Sequence, residues 1–236
     1  MGGRGGRHGK ARQGPPPFLK ICGIRTPEEA SLALGSGATA LGFLAGLTHR
    51  AEDAIDPARA AAIIRGLPPE AETVLVTHLL DPEAIVRLAA ITGAGTVQIH
   101  GDLPVEGLRR LRSLLPGRRL IKSVHVTGPE ALGHALAHAA DADALLLDSR
   151  TADRLGGTGR VHDWAISRAI VAALAPLPVY LAGGLRPGNV EEAIRTVRPA
   201  GVDVNSGVED AAGGKDPVKL REFLGRAAAA LAGSGP

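Results

Sequence analysis

The amino-acid sequence predicts an α/β protein, a single-domain (β/α)8 barrel, and three observations support this prediction. From Leu19 onward, eight short apolar runs alternate with Ala-, Leu-, Arg- and Glu-rich segments of helical spacing. The chain has 236 residues, a length typical of such a barrel in one domain. Polar residues follow the apolar runs, where barrel enzymes place their active sites. An open doubly wound sheet is the main alternative, although it more often has about five or six strands.

The strand candidates are continuous apolar runs, which is typical of a parallel sheet that is buried on both faces. They are residues 19–22, 39–44, 72–77, 96–99, 120–124, 143–148, 178–182 and 201–205. The helix candidates between them are residues 27–35, 57–65, 81–92, 104–115, 129–140, 162–175, 187–197 and 216–231. Three helices have an Asp-Pro start, at Asp56, Asp81 and Asp216. Asp caps the free amides there, and Pro fits the first turn because its missing N–H is not needed.

Composition and charge divide the chain into a tail and a domain. Hydrophobic residues make up 44% of the chain and aromatic residues only 2%, so Leu, Val, Ile and Ala must form the core. Four basic residues lie in the first twelve positions, and without them the formal net charge of +3 becomes −1. We therefore predict a disordered, basic, Gly- and Pro-rich tail over residues 1–17 and a barrel domain over residues 18–236.

These features also argue against several partners. The basic isoelectric point is a property of the tail and is weak evidence for nucleic-acid binding. A single cysteine excludes intrachain disulfides and fits a reducing compartment, which predicts a cytoplasmic protein. No apolar run approaches the length of a membrane span. We expect no nucleic-acid or membrane partner and either a monomer or a homodimer.

Two residues at the ends of strand candidates are candidates for proton transfer. Cys22 ends the first strand and is a proton acceptor if its thiolate is accessible; the alternative is a small buried hydrophobe. Asp148 ends the apolar run 144–147, where desolvation would raise the pKa of its carboxyl and suit it to donate a proton. A helix cap or a salt bridge to Arg150 is the alternative for Asp148.

Glycine clusters follow the last three strands and predict a phosphate site. Glycine lets backbone N–H groups approach an anion closely, and barrels often hold a substrate phosphate in the loops after strands 7 and 8. The phosphate-binding candidates are Gly156, Gly157, Gly183, Gly184, Ser206 and Gly207. Simple turn glycines are the alternative, since the chain has 32 glycines.

Other polar residues on this rim are candidates for substrate contacts. Arg50 is either an exposed loop cation or a fork for a substrate carboxylate. Gln98 and His100 lie at the end of the fourth strand candidate. His100 has no second histidine or carboxylate at ligand spacing, so we predict no metal. The sequence has neither a Walker motif nor a GxGxxG after the first strand, and a nucleotide cofactor is not expected.

A set of ordered motifs resembles one family, phosphoribosylanthranilate isomerase of tryptophan biosynthesis. The resemblance extends from about Leu19 to Leu231, and its strength lies in the order and spacing of the set rather than in any one motif. The motifs are KICG at 20–23, VQIHG at 97–101, LLLDS at 145–149, GGTG at 156–159, LAGGL at 181–185 and DVNSGVE at 203–209.

The resemblance implies a cofactor-free Amadori rearrangement of an N-linked ribose 5-phosphate to a 1-deoxyribulose 5-phosphate on a (β/α)8 barrel. It implies that Asp148 is the general acid that protonates the ribose ring oxygen. It also implies that Cys22 is the general base at C2, that Arg50 faces the anthranilate carboxylate, and that the glycines hold the phosphate.

Three positions depart from the family's usual pattern: the loop 45–50, the end of strand 3 and Asn205. His78 stands at the end of strand 3, where a Phe-Val-Asn type sequence is more usual, and we expect it to contact the substrate. The departures leave two alternatives open. One is a related barrel isomerase of another phosphorylated sugar with a changed N-substituent, and the other is a non-catalytic sugar-phosphate-binding paralogue.

Overall fold

The computed structural model describes residues 17–48, 53–149 and 162–233, which form a closed barrel of eight parallel strands. The strands are hydrogen-bonded in chain order, and β1 pairs with β8 to close the barrel. The predicted (β/α)8 class is therefore confirmed, and the open sheet is excluded. The boundary between tail and domain stays a prediction, because residues 1–16 lie outside the described residues.

Every predicted strand is present, with ends that differ by one residue or not at all. The strands are β1 (Phe18–Ile21), β2 (Ala40–Leu44), β3 (Glu72–Thr77), β4 (Thr96–Ile99), β5 (Arg119–His125), β6 (Ala144–Asp148), β7 (Val179–Leu181) and β8 (Gly201–Val204). Their carboxyl ends meet at one rim, so the polar residues that follow them in the sequence come together there.

Every predicted helix is also present, within three residues at each end. The helices are α1 (Pro27–Gly35), α2 (Pro57–Arg65), α3 (Pro82–Thr92), α4 (Val105–Leu114), α5 (Ala131–His138), α6 (Trp164–Leu174), α7 (Val190–Val197) and α8 (Pro217–Ala232). A short 3-10 helix, η1 (Ser206–Val208), was not predicted. None of the helices in the described ranges is long and apolar enough to cross a membrane.

The helix starts follow the local chemistry of the sequence. Asp56 caps α2 as predicted, because its Oδ1 accepts a hydrogen bond of 2.9 Å from the Ala58 N–H. α7 begins three residues later than predicted. The Arg186 N–H donates to Asn189 Oδ1 at 2.8 Å, and this bond holds the segment before α7 in a turn.

Two separate apolar layers pack on the strands. The larger layer lies between the strands and the helices, and it draws on all eight strand–helix units. The smaller layer fills the barrel interior with Phe18, Cys22, Ala40, Val74, Val76, Ile121, Ala144, Leu146, Tyr180 and Ala182. Alternate residues of β1 therefore point inward, and Phe18, Lys20 and Cys22 form a column from the N-terminal to the C-terminal end of the barrel.

A cluster of paired groups closes the N-terminal end of the interior. The rings of Phe18 and Tyr180 stack at 3.9 Å, and the Arg119 guanidinium lies over both. Arg119 also donates to Glu72 Oε1 at 2.7 Å and to the Tyr180 hydroxyl. Thr96 Oγ1 donates to the same Glu72 oxygen at 2.8 Å.

Candidate active site

A cavity of about 230 Å³ opens at the carboxyl ends of the strands. It brings together nine of the residues that the sequence predicts for the site. They are Cys22, His78, Gln98, His100, Asp148, Gly183, Gly184, Ser206 and Gly207. Arg50, Gly156 and Gly157 lie outside the described residues, so their predicted roles stay predictions.

Cys22 faces this cavity from the end of β1. Its N–H donates to Val204 O at 2.8 Å, which continues the pairing of β1 with β8 by one residue. Burial raises the pKa of the Cys22 thiol to about 11, although the ammonium of Lys20 lowers this pKa in part. The thiol is therefore protonated at neutral pH. Forming the thiolate costs more than the sequence alone suggests.

Asp148 is the last residue of β6 and is held at the edge of the barrel interior. The Ser149 N–H donates to its Oδ1 at 2.8 Å. Burial, and then the negative charge of Asp203, raises the pKa of this carboxyl to about 7. A carboxyl with this pKa keeps its proton for much of the time near neutral pH, so it is suited to general-acid catalysis.

Three histidine rings pack together in the cavity, and one of them, His100, lies beside Asp148. His100 Nε2 lies 3.4 Å from Asp148 Oδ2, and His100 Nδ1 lies 3.1 Å from Ser123 Oγ. The ring of His78 stacks on His100 at 5.0 Å, and the ring of His125 meets it edge-on at 5.1 Å. Burial and these two neighbours hold the pKa of His100 well below its usual value. His100 is therefore neutral, and its contact with Asp148 is a polar contact rather than an ion pair at neutral pH.

The glycines after β7 and the residues of η1 line the same cavity with backbone amides. Gly183 and Gly184 have φ of 80° and 67°, a backbone region that favours glycine. A Cβ on Gly207 would stand 1.9 Å from Leu185 O, so this close approach also requires glycine. In the described part of the chain, the N–H groups of Gly183, Gly184, Ser206 and Gly207 donate no hydrogen bond within the protein. These amides are available to an anion.

One group of side chains has the composition of a metal site. Ligand atoms of His100, His125 and Asp148 lie within 4.8 Å of one another, a proximity that sequence spacing alone did not reveal. Tetrahedral ligands at zinc bond lengths stand about 3.4 Å apart, so the group is wider than a formed site. Lys20 and Lys122 add positive charge near His100. The described residues thus present no formed metal site, and the absence of a metal stays a prediction.

Sequence reasoning missed two charged residues beneath the cavity. Lys20 Nζ donates to Asp203 Oδ2 at 2.8 Å, and both side chains are buried inside the barrel. The signal was present in the sequence: each is a lone charge in an apolar strand, and Lys20 stands two residues before Cys22. Residues two apart on a strand share a face, so Lys20 must lie on the same side of β1 as the thiol.

Sequence reasoning also missed a polar link at the edge of the cavity. Asn205, which follows β8, donates from Nδ2 to Asp53 Oδ2 and accepts a hydrogen bond of 2.6 Å from Lys215 Nζ. Asp53 and Asn205 both line the cavity. Asn205 departs from the family's usual Ser, and its amide joins the loop after β2 to the loop after β8.

Known proteins resemble the chain in both sequence and structure. Residues 19–226 match the family described as N-(5'phosphoribosyl)anthranilate (PRA) isomerase. N-(5'-phosphoribosyl)anthranilate isomerase 2 of Methanosarcina mazei is 44% identical over 211 residues, which cover 89% of this chain and 93% of that protein. The isomerase of Desulforudis audaxviator is also 44% identical, over 91% of this chain and 99% of that protein.

Solved structures agree with the sequence relatives. The phosphoribosylanthranilate isomerase of Thermotoga maritima has a TM-score of 0.79 at 33% identity, covering 89% of this chain and 98% of that one. A phosphoribosylanthranilate isomerase in complex with reduced 1-(o-carboxyphenylamino)-1-deoxyribulose 5-phosphate has a TM-score of 0.76 at 32% identity, with the same coverage. The chain therefore belongs to the phosphoribosylanthranilate isomerase family, an isomerase family of tryptophan biosynthesis.

Proposed function

We propose that this chain converts N-(5'-phosphoribosyl)anthranilate to the 1-deoxyribulose 5-phosphate product, with Asp148 as the general acid and Cys22 as the general base. The observation that carries the proposal is that a carboxyl with a pKa of about 7 and a thiol with a pKa of about 11 face one cavity. The carboxyl holds a proton that it can give near neutral pH, and the thiol in the same cavity becomes a strong base once it has lost its own proton.

The first step is opening of the ribose ring. The protonated carboxyl of Asp148 gives its proton to the ring oxygen while the bond from C1 to that oxygen breaks. The nitrogen lone pair then forms an iminium with C1. The neutral His100 ring, 3.4 Å from the carboxyl, adds no positive charge that would compete with the iminium. Asp148 is left as a carboxylate near the new cation, which stabilises it.

The second step is removal of the proton on C2. The thiolate of Cys22 takes this proton, and the electron pair of the C–H bond neutralises the iminium to give an enolamine, which becomes the ketone. With these pKa values, the form with a proton on Asp148 and none on Cys22 is about one part in 10⁴ of the free protein between pH 7 and 11. The reaction proceeds from this form, in which Cys22 has already released its proton to solvent, and the iminium charge stabilises the thiolate once the ring has opened.

The phosphate is assigned to the backbone amides after β7 and β8. Gly183, Gly184, Ser206 and Gly207 present N–H groups at the cavity wall, and such groups bind phosphate without any side-chain charge. The predicted contributions of Gly156 and Gly157 belong to the same proposal.

The non-sugar end of the substrate would then lie toward the loops after β2 and β3. Leu44, Leu47 and Val76 give this part of the cavity apolar walls, and His78 adds a ring that stacks on His100. These contacts suit an aromatic substituent, and Arg50 is proposed to pair with its carboxylate. His78 also favours one second candidate, a related isomerase whose substrate carries a different N-substituent at the same sugar phosphate.

The decisive experiment is turnover of freshly prepared phosphoribosylanthranilate by the purified full-length chain. We expect Cys22→Ser and Asp148→Asn each to lower kcat by at least about a hundredfold, the usual contribution of a general acid or base. Losses below about tenfold in both variants would contradict the assigned roles. Inactivity of the parent chain together with retained binding of a ribulose phosphate analogue would favour the second candidate.

A further inference from the structure

A buried ion pair lies directly beneath the proposed acid and base. Lys20 and Asp203 are register partners on β1 and β8, and Lys20 Nζ lies 2.8 Å from Asp203 Oδ2. Lys20 is 0% exposed and Asp203 is 6% exposed. Removing two charges from water costs about as much as their attraction returns, so such a pair is weak evidence for a stabilising role. A functional role is therefore worth seeking.

The ammonium end of the pair is directed at Cys22. A Cβ on Gly42, the nearest inward position of β2, would stand 2.9 Å from Cys22 Sγ and 3.0 Å from Lys20 Nζ. The thiol and the ammonium therefore share the space that this glycine leaves open. Although burial lowers the pKa of Lys20, Asp203 and Cys22 together raise it above its usual value. Lys20 is therefore a cation next to the thiol at neutral pH.

At the carboxylate end, Lys20 donates to only one of the two carboxylate oxygens of Asp203. Asp203 Oδ1 is buried and has no hydrogen-bond partner among the described residues, while Asp203 lines the same cavity as Asp148. Its negative charge is the largest cause after burial of the raised pKa of Asp148. A carboxylate with an unpaired oxygen keeps more of its field than one that is fully hydrogen-bonded.

We propose that the buried Lys20–Asp203 ion pair is a positioning device of the active site, which stabilises the thiolate of Cys22 at its ammonium end and keeps the proton on Asp148 at its carboxylate end. Lys20 and Asp203 act through Cys22 and Asp148, so both are positioning residues. The inference rests on the proposed function, because it explains how one pair prepares the base and the acid of that reaction.

Among the charged side chains of the described residues, Lys20 has the largest effect on the pKa of Cys22 and Asp203 the largest effect on the pKa of Asp148. At Cys22, Lys20 favours the thiolate more strongly than Asp203 opposes it, and Asp53 opposes it least. At Asp148 the order is reversed, because Asp203 favours the proton more strongly than Lys20 opposes it. His100 and His125 also face Asp148 from β4 and β5. The ammonium end of the pair thus lowers the pKa of Cys22, and the carboxylate end raises the pKa of Asp148.

The test uses the fact that Cys22 is the only cysteine of the chain. The alkylation rate of the substrate-free protein by iodoacetamide, followed from pH 7 to 10, reports the thiolate fraction of this one residue. We expect Lys20→Met to slow alkylation at fixed pH by at least about tenfold and Asp203→Asn to accelerate it by a similar factor. A matched control is Lys122→Met, which removes another buried lysine whose Nζ donates to Gly101 O and Ser123 O instead. It should leave the rate unchanged.

The double variant Lys20→Met/Asp203→Asn gives the sharpest result and avoids leaving a buried charge unpaired. We expect alkylation of Cys22 to slow. We also expect the midpoint of Asp148 ionisation, read by NMR of ¹³C-labelled carboxyls and assigned with Asp148→Asn, to fall. Unchanged alkylation and an unchanged Asp148 midpoint in a folded double variant would overturn the proposal, even if its thermal stability were lower. An inactive parent chain with both shifts as expected would refute the proposed function alone.

Discussion

At the N-terminal end of the barrel, Arg119, Glu72 and Tyr180 satisfy one another, whereas at the C-terminal end Cys22 and Asp148 are both held away from their usual protonation equilibria. In the first group the Arg119 guanidinium donates hydrogen bonds to both the Glu72 carboxylate and the Tyr180 hydroxyl. The second lies in a cavity, and burial is the first cause of both raised pKa values.

The difference shows that the barrel interior has its paired, stabilising groups at one end and its reactive groups at the other. Both groups lie at strand positions that face the barrel interior, and these positions alternate with positions that face the helices. At the N-terminal end the polar atoms are paired, so burial costs little. At the C-terminal end Asp203 Oδ1 and Gln98 Oε1 are buried and have no hydrogen-bond partner among the described residues, so burial there leaves polar atoms unpaired.

The largest expected difference between the two ends is the effect of Asp148→Asn on stability. The folded-state pKa of Asp148 is about 7, against about 3.9 in the unfolded chain. Below pH 4 both states are protonated and the carboxyl costs nothing. Between pH 4 and 7 the unfolded state releases a proton that the folded state keeps, so stability falls as pH rises, and above pH 7 the full cost remains.

We therefore expect Asp148→Asn to be more stable than the parent chain above pH 8, by up to about 4 kcal/mol, while it loses turnover. Urea unfolding of both proteins at pH 4, 6 and 8 measures this difference, and the gain should shrink toward zero at pH 4. A difference that is the same at all three pH values would show that the ionisation of Asp148 does not cause it.

A smaller effect, in the opposite direction, is expected on the stability of the Gly183→Ala variant, also at the C-terminal end. A Cβ there would stand 2.4 Å from the Ser149 N–H nitrogen and 2.8 Å from Asp148 Oδ1, at a φ of 80°. We expect a loss of about 2–3 kcal/mol in the free energy of unfolding and at least tenfold in kcat, because the acid must shift. Gly188→Ala is the matched control, since nothing lies within 4 Å of the corresponding Cβ. Equal effects of the two substitutions would contradict this reading.

The fold was predictable from sequence because its signals are local and repeated. Short apolar runs such as 144–147 favour strands that are buried on both faces, and Asp-Pro pairs such as the one at Asp56 mark helix starts. α7 began late because the hydrogen bond between the Arg186 N–H and Asn189 Oδ1 depends on a turn that helical spacing does not reveal. The predicted cavity residues followed from the fold, since they lie at or shortly after the carboxyl ends of the strands.

The site was predicted less completely because its energetics depend on contacts across the barrel. Cys22 and Asp148 could be chosen from their positions, but the high pKa of the thiol could not, because burial and Lys20 set it together. The partner of Lys20 lies 183 residues away in sequence, and only closure of the barrel brings it to 2.8 Å. His125 likewise reaches Asp148 only through the pairing of β5 with β6.

At the N-terminal end, Arg119→Met should lower stability and leave chemistry unchanged. The substitution removes the ion pair with Glu72 and the contact with two aromatic rings, while keeping most of the apolar volume. Because both charged groups are about one-third exposed, the expected loss is only about 1–2 kcal/mol in the free energy of unfolding. The measurement is urea unfolding beside kcat, and kcat should stay within about twofold. A tenfold loss of kcat would show that the group at the N-terminal end also affects catalysis.

The smallest effect is expected at the edge of the cavity, for His78→Ala. His78 stacks on His100 and lines the cavity, so its loss should weaken binding of the substrate's non-sugar end without changing proton transfer. We expect KM for phosphoribosylanthranilate to rise by about three- to tenfold, with kcat within about twofold. His78→Asn, which restores the residue more usual for the family, distinguishes a specific contact from simple filling of space. A KM and kcat that are both unchanged in His78→Ala would remove His78 from the substrate site, and a large fall in kcat would place it beside Asp148 in the chemistry instead.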